Sequence, residues 1–146
     1  MAARYGPLPG RHVAAALALG AAGVWLSTAW LVTREAGTDP VLLRKLLDAG
    51  IEDTVISSAD SGKTPRRIRT AWSDERARPD APAPLRMPYQ DVPVGDLLGA
   101  VDRHCVEPLV HSPAGQSIGY FDRPTTVAEA LANLLTEAGN VLSGLR

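Results

Sequence analysis

The longest apolar run in the chain covers residues 13–32, VAAALALGAAGVWLSTAWLV, and contains no charged side chain. About 20 apolar residues, rising 1.5 Å each in a helix, cross the roughly 30 Å hydrocarbon core of a bilayer. A helix is also the single-segment structure that pairs its own backbone groups in lipid. The pattern therefore predicts a transmembrane helix over residues 13–33, after an extended N-terminal segment of residues 1–12.

Two other interpretations of this run remain open. A cleaved signal peptide has a shorter apolar core followed by small residues, whereas here the bulky sequence VWLSTAWLV stands where cleavage would fall. A buried helix in a globular domain would need more apolar partners than the rest of the chain offers. The membrane span is the favoured interpretation, and its orientation is undetermined because Lys and Arg flank it almost evenly.

Small residues recur at four-residue spacing within the run. Such residues let two helix backbones approach closely, and packing then drives association in lipid. An Ala-rich composition would give the same pattern without any partner. The candidate helix-packing residues are Ala14, Ala16, Ala18, Gly20 and Ala22.

Residues 34–78 are predicted to hold a juxtamembrane helix and a basic segment. Asp39 as N-cap, Pro40 at the first helical position and Gly50 at the end predict a helix over residues 40–49. Residues 53–57 could form a short strand. The basic side chains could contact anionic lipid or an acidic partner, or simply line a solvated loop. They are Lys63, Arg66, Arg67, Arg69, Arg76 and Arg78.

Residues 79–93 are rich in proline and predict an extended connector. Two amphipathic helices are expected in residues 94–146. The first has apolar side chains at helical spacing from Val94 to Cys105. The second opens with Thr126 and Glu129, which form a capping-box pattern. The two helices are expected to pair as a small hairpin that needs further partners.

Residues Ser61 to Thr64, SGKT, match the closing half of a phosphate-binding loop. The full pattern requires glycine at position 57, where this chain has Ser57, and Pro65 follows at once. No alternating strand and helix pattern surrounds the motif. The sequence therefore indicates a polar turn and not a nucleotide site.

Other combinations of reactive residue types give only weak evidence for a metal site or a catalytic site. A single cysteine excludes an internal disulfide, and no standard metal-ligand spacing is present. A hydrolytic triad can be arranged on paper, but no nucleophile-elbow pattern supports it. The metal candidates are His104, Cys105, Glu107 and His111, and the triad candidates are His111, Ser117 and Asp122.

Together these patterns predict a mostly α protein: a single transmembrane helix, short amphipathic helices and a Pro-rich extended connector. The expected function is that of a non-catalytic accessory subunit of a bioenergetic membrane complex, without cofactors, metals or a small-molecule substrate. The favoured location is the mitochondrial inner membrane, with the bacterial cytoplasmic membrane as alternative. Expected partners are other membrane subunits and possible anionic lipid.

Two further hypotheses belong to other functional classes. A membrane-anchored binding module would recruit an acidic protein, lipid or nucleic acid through residues 63–78. Nucleic acid is the weakest of these ligands because the net charge is −1. An enzyme hidden in the sequence would depend on Cys105 and His111.

Overall fold

The computed structural model describes residues 10–144 of the 146-residue chain. Its α-helices are α1 (Gly10–Ala18), α2 (Pro40–Asp48), α3 (Ala71–Arg76), α4 (Asp91–Arg103) and α5 (Val127–Ser143). Its strands are β1 (Thr54–Ile56) and β2 (Arg66–Ile68). Four 3₁₀ helices complete the described part: η1 (Thr28–Val32), η2 (Arg34–Ala36), η3 (Ile51–Asp53) and η4 (Gln116–Tyr120).

The apolar run does not form one helix, because a glycine cap ends α1 at Ala18. Gly20 has φ +94°, and its N–H donates to the Leu17 carbonyl at 3.0 Å. The N–H of Ala21 donates to the Ala16 carbonyl at 3.0 Å, which completes a Schellman motif. Residues 23–27 then lie in neither helix nor strand before η1 begins.

No helix in residues 10–144 is both long enough and apolar enough to cross a membrane. The predicted transmembrane helix over residues 13–33 is therefore wrong, and so is the fold class built on it. The physical reason is local: glycine adopts the left-handed conformation at no steric cost and turns the chain after less than half of the apolar run.

The two strands form an antiparallel hairpin whose register pairs Thr54 with Ile68 and Ile56 with Arg66. The predicted strand over residues 53–57 is thus confirmed. An isolated antiparallel bridge between Arg67 and Pro113 brings a later segment against the hairpin. Through this bridge the hairpin is tied to the loop that leads into η4.

Two helices begin at the positions that the capping patterns in the sequence predicted. The Asp39 carboxylate accepts hydrogen bonds from the N–H groups of Val41 (2.8 Å) and Leu42 (3.4 Å) at the start of α2. Thr126 Oγ1 accepts from the Glu129 N–H at 3.1 Å at the start of α5. Short-range side-chain caps therefore fix both helix starts.

The core lies between η1, α2, β2, η4 and α5. Its buried apolar residues are Ala29, Val32, Leu46, Ala49, Ile68, Ala114, Ile118, Phe121 and Leu134. Helix α5 packs along α1, whereas the sequence pattern had paired it with α4. The two helices are in close contact at Gly10, where an added Cβ would lie 2.6 Å from the Ala138 backbone nitrogen.

Candidate functional site

Two hydroxyl side chains lie near Gly115, and one of them, Thr28, directly follows the apolar segment 23–27. Thr28 is 8% exposed, and its Oγ1 accepts a hydrogen bond from the Gly115 N–H at 2.9 Å. A Cβ on Gly115 would lie 3.4 Å from that oxygen and 3.8 Å from Ser117 Oγ. The two hydroxyls therefore flank one glycine, and the Thr28 hydroxyl proton stays free to donate to a further acceptor.

An imidazole from α1 and a phenol from η4 contact each other. The rings of His12 in α1 and Tyr120 in η4 make an edge contact with centroids 5.7 Å apart. Ser117 and Tyr120 share the short helix η4, which packs against η1. We call His12, Thr28, Ser117 and Tyr120 the polar rim. Its groups can donate hydrogen bonds to anionic oxygens, and none of them is a carboxylate.

A second polar cluster is buried and internally occupied. Asp60, 6% exposed, forms an ion pair with Arg67, which is 4% exposed. The Asp60 carboxylate also accepts a hydrogen bond from Trp72 Nε1 at 2.9 Å, and His111 Nε2 lies 2.6 Å from Asp60 Oδ2. The partners of Asp60 lie in β2, in α3 and in the loop before η4. This buried cluster therefore links these three parts of the chain and stabilises the fold.

Burial lowers the pKa of His111 below its ordinary value, and the nearby Arg67 guanidinium lowers it further. The Asp60 carboxylate would favour the imidazolium, but Arg67 already neutralises that carboxylate. Because the folded pKa lies below the unfolded one, the unfolded chain binds the proton more tightly. The stability contribution of His111 is therefore complete above the ordinary histidine pKa and decreases as pH falls through it.

We expect the free energy of unfolding to decrease as pH falls below about 6.5, and His111→Gln to flatten that dependence. Urea denaturation at several pH values between about 5 and 8 measures the slope. His104→Gln, at an exposed histidine, is the matched control. A wild-type slope in His111→Gln would contradict the assignment.

Most of the predicted basic residues have partners within the chain. Arg67 lies in the buried cluster, and Lys63 is exposed. The other contacts are Arg66 with Thr54, Arg69 with Asp74, Arg76 with the Trp72 ring, and Arg78 with Glu75 and Asp80. Carboxylates thus pair with three of the six basic residues, Arg67, Arg69 and Arg78.

The candidate packing residues do not share one buried face. Ala14 is buried where α1 packs in the chain, and Ala16 is half-buried. Ala18, Gly20 and Ala22 are exposed. The four-residue spacing breaks down after Ala18 because the helix ends there.

The candidate metal ligands also have separate roles. His104 is the residue after α4, and Cys105 directs its thiol to the Asp102 carbonyl at 3.5 Å. Glu107 pairs with Arg44 at 2.7 Å. Across the described residues, no three His, Cys, Asp or Glu side chains are placed to hold a metal ion. Among the three candidates for a hydrolytic triad, His111 lies beside Asp60, whereas Ser117 lies on the polar rim.

Sequence reasoning missed most of the polar rim, namely His12, Thr28 and Tyr120. A signal was available in the apolar run. The six residues AAGVWL lie between Gly20 and Ser27, and a short apolar run bounded by turn residues is typical of a buried strand. A helix, a glycine cap and such a strand would have indicated an α/β repeat, with polar residues at the end of the strand.

Comparison with known proteins identifies related enzymes. The family model for nitronate monooxygenase matches residues 2–137. A monooxygenase homologue of Mycobacterium tuberculosis is 42% identical over 134 residues, covering 88% of this chain and 36% of the relative. A nitronate monooxygenase homologue of Bacillus subtilis is 37% identical over 86 residues, covering 59% of this chain and 24% of the relative.

Solved structures agree with the sequence relatives. The nitroalkane oxidase of Streptomyces ansochromogenes superposes with a TM-score of 0.79 at 27% identity, over 97% of this chain and 40% of that one. The M276A mutant of FabK from Thermotoga maritima superposes with a TM-score of 0.70 at 29% identity, over 97% of this chain and 42% of that one. These neighbours have a TIM-barrel-like fold. The chain spans about a third of the length of the first relative.

These findings correct the functional expectations. The sequence relatives and the nitroalkane oxidase are catalytic proteins, so the prediction of a non-catalytic accessory subunit in a respiratory-type complex is wrong. The membrane-anchored binding module and the assigned membrane locations are wrong too, because no described helix could provide the span. With its family match extending over residues 2–137, this chain belongs to the nitronate monooxygenase family.

Proposed function

We propose that this chain supplies one sector of a nitronate-oxidising barrel, and that its polar rim faces the reacting anion. The observation that carries the proposal is the likeness to nitroalkane oxidase, which extends over 97% of this chain. The chain covers 40% of that protein, so the remaining barrel strands and the other catalytic groups belong to the rest of the barrel.

The position of the rim fits the rule for barrel enzymes. In TIM barrels, functional residues lie at the carboxyl ends of the strands and in the loops that follow them. Thr28 follows the apolar segment 23–27 directly, and η4 packs beside it. A nitronate is a deprotonated nitroalkane with its negative charge spread over two oxygens. Hydroxyl and imidazole donors suit such an anion.

Oxidation of a nitronate by O₂ moves electrons from the nitronate to O₂, and a bound redox group would relay them. Barrels often hold the phosphate of such a group in the loops after the last strands, beside a short helix. Thr28 and Ser117 place hydroxyl groups on either side of Gly115, and hydroxyl donors of this kind would suit a phosphate. These residues would hold the group by hydrogen bonds.

The test is a chimera in which this full chain replaces the matching region of the M. tuberculosis relative. We expect oxygen consumption that depends on an added alkyl nitronate. Tyr120→Phe and His12→Gln should each lower kcat/KM about tenfold to a hundredfold, the effect of losing a hydrogen bond of about 1.5–3 kcal/mol to a charged group.

Matched control variants are available for both substitutions. Tyr89→Phe removes an exposed phenol from the turn before α4, and His104→Gln removes an imidazole after α4. Both should leave kcat/KM unchanged. A folded chimera without nitronate-dependent oxygen consumption would contradict the proposed reaction, and rim variants equal to their controls would remove the rim from it.

A further inference from the structure

A cavity of about 340 Å³ lies between the β-hairpin and α3. Its walls come from the end of β1 and the residues after it, from Arg69 after β2, from α3 and from Pro84. None of the four residues of the polar rim lines it. Because all its walls lie within residues 55–84, the cavity is separate from the site of the proposed reaction.

One wall of this cavity presents a cation whose nearest carboxylate is already paired. Arg76 lines the cavity, and the neighbouring Asp74 pairs instead with Arg69 at 3.4 Å. Arg76 Nε is buried and has no hydrogen-bond partner, so the guanidinium has lost part of its hydration. A partly dehydrated cation gains more from a bound anion than a fully hydrated one does.

The buried cluster holds this cation in place. The Arg76 guanidinium lies over the Trp72 ring, with 5.6 Å between Arg76 Cζ and the ring centroid. Trp72 Nε1 in turn donates a hydrogen bond to Asp60 at 2.9 Å, which fixes the ring. A cation–π contact on a fixed ring positions the guanidinium before any ligand arrives, and this lowers the entropic cost of binding.

Hydroxyl groups lie on the opposite side of the cavity lining, after β1. Ser57 Oγ accepts a hydrogen bond from the Ala59 N–H at 3.2 Å, which leaves the hydroxyl proton free to donate to a ligand. Ser58 adds a second hydroxyl to the lining. A guanidinium and hydroxyl donors are the groups that bind a carboxylate in proteins.

The remaining lining limits the charge and the shape of the ligand. The ion pair between Arg69 and Asp74 is neutral, so Arg76 gives the lining a net charge of about +1. Val55, Ala77 and Pro84 supply apolar surface. An apolar cavity of about 150 Å³ is large enough for benzene, so this one has room for a hydrocarbon body of at least that size.

We infer that this cavity binds a small organic monocarboxylate. The carboxylate pairs with Arg76 and accepts from the hydroxyls of Ser57 and Ser58, while the hydrocarbon body packs against the apolar wall. Asp74 disfavours a second negative charge on the ligand. The inference does not depend on the proposed reaction.

Isothermal titration of the full chain tests the inference with benzoate and hexanoate as probes. We expect saturable binding of at least one of them, with a Kd of about 1 mM or tighter. Benzamide is the uncharged analogue of benzoate, and terephthalate is its dianionic analogue. Each analogue should bind at least about tenfold more weakly than benzoate, the effect expected for losing an interaction with a charged group or gaining a repulsive one.

Two variants separate the charge from the space. Arg76→Gln removes the cation and should weaken binding at least about tenfold, whereas Arg103→Gln, at an exposed arginine in α4, should leave it unchanged. Ala77→Phe places a ring in the cavity, keeps Arg76 and should abolish binding. Far-UV circular dichroism of each variant checks that the helices are intact.

Several results would overturn the inference. They are no saturable binding of either monocarboxylate, equal affinity for benzoate and benzamide or terephthalate, and binding that survives Ala77→Phe or equals its control in Arg76→Gln. Loss of binding in the folded chimera would also overturn it, because the cavity would then be covered in the barrel. Nitronate-dependent oxygen consumption is measured separately, so failure of the carboxylate site leaves the proposed function standing, and the reverse also holds.

Discussion

Asp60→Asn is expected to lower the free energy of unfolding by about 3–5 kcal/mol, because it leaves the buried Arg67 guanidinium without a counter-charge. Arg67 is 4% exposed, and burial already lowers its pKa. The asparagine side chain can still accept a hydrogen bond, but it cannot neutralise a buried cation. A single domain has about 5–15 kcal/mol of stability in total, so the loss would be large.

Urea denaturation measures this loss, with Asp80→Asn as the matched control. Asp80 pairs with Arg78 at the surface, where 73% of the Asp80 side chain and 55% of the Arg78 side chain are exposed. Exposed pairs contribute about 0–1 kcal/mol, so the control should stay within that range. Equal effects of Asp60→Asn and Asp80→Asn would contradict a buried, structural ion pair.

A double variant tests whether the loss comes from the stranded charge. Asp60→Asn combined with Arg67→Met removes both the carboxylate and the guanidinium. We expect it to be less destabilised than the sum of the two single variants, because neither charge is left unpaired. Additive losses would instead point to packing defects at both positions.

Gly62→Ala is expected to cost about 2–5 kcal/mol, which combines backbone strain with overpacking. Gly62 has φ +72°, in the left-handed region that alanine adopts only with strain. An added Cβ would also overlap the backbone at the Leu85 carbonyl and the Met87 nitrogen. The glycine of the SGKT sequence thus makes a close contact between two backbone segments.

The matched control is Gly95→Ala, a glycine within α4 that has nothing within 4 Å of an added Cβ. Alanine should stabilise a helix there by about 0.5–1 kcal/mol. The two Gly→Ala substitutions are therefore expected to have opposite signs in the same denaturation assay. A neutral Gly62→Ala would show that residues 85–87 can move away at little cost.

Local signals predicted much of the secondary structure. The starts of α2 and α5 follow from Asp39 with Pro40 and from Thr126, since a cap acts within one helical turn. The strand β1 follows from a short apolar run. SGKT was not interpreted as a nucleotide site because position 57 is not glycine and no alternating strand and helix pattern surrounds the motif. No sequence pattern indicated that Gly62 lies in close contact with residues 85–87.

The sites could not be read from residue type alone. Arg67 and Arg69 look alike in the sequence, yet one is buried against Asp60 and the other lies exposed near Asp74. The polar rim joins residues more than 85 positions apart, as in the hydrogen bond between Thr28 and Gly115. Such pairs depend on how η1 and η4 pack and not on spacing along the chain.

The sequence by itself determined the starts of the capped helices and the short strand, because each depends on interactions between residues a few positions apart. Tertiary structure decided the rest. It divided the apolar run between α1 and a strand-like segment, buried Arg67 with Asp60, and brought Thr28 to Gly115. Hydrophobicity determines how much free energy is gained when an apolar side chain is removed from water. The path of the backbone determines which part of the protein each side chain packs against.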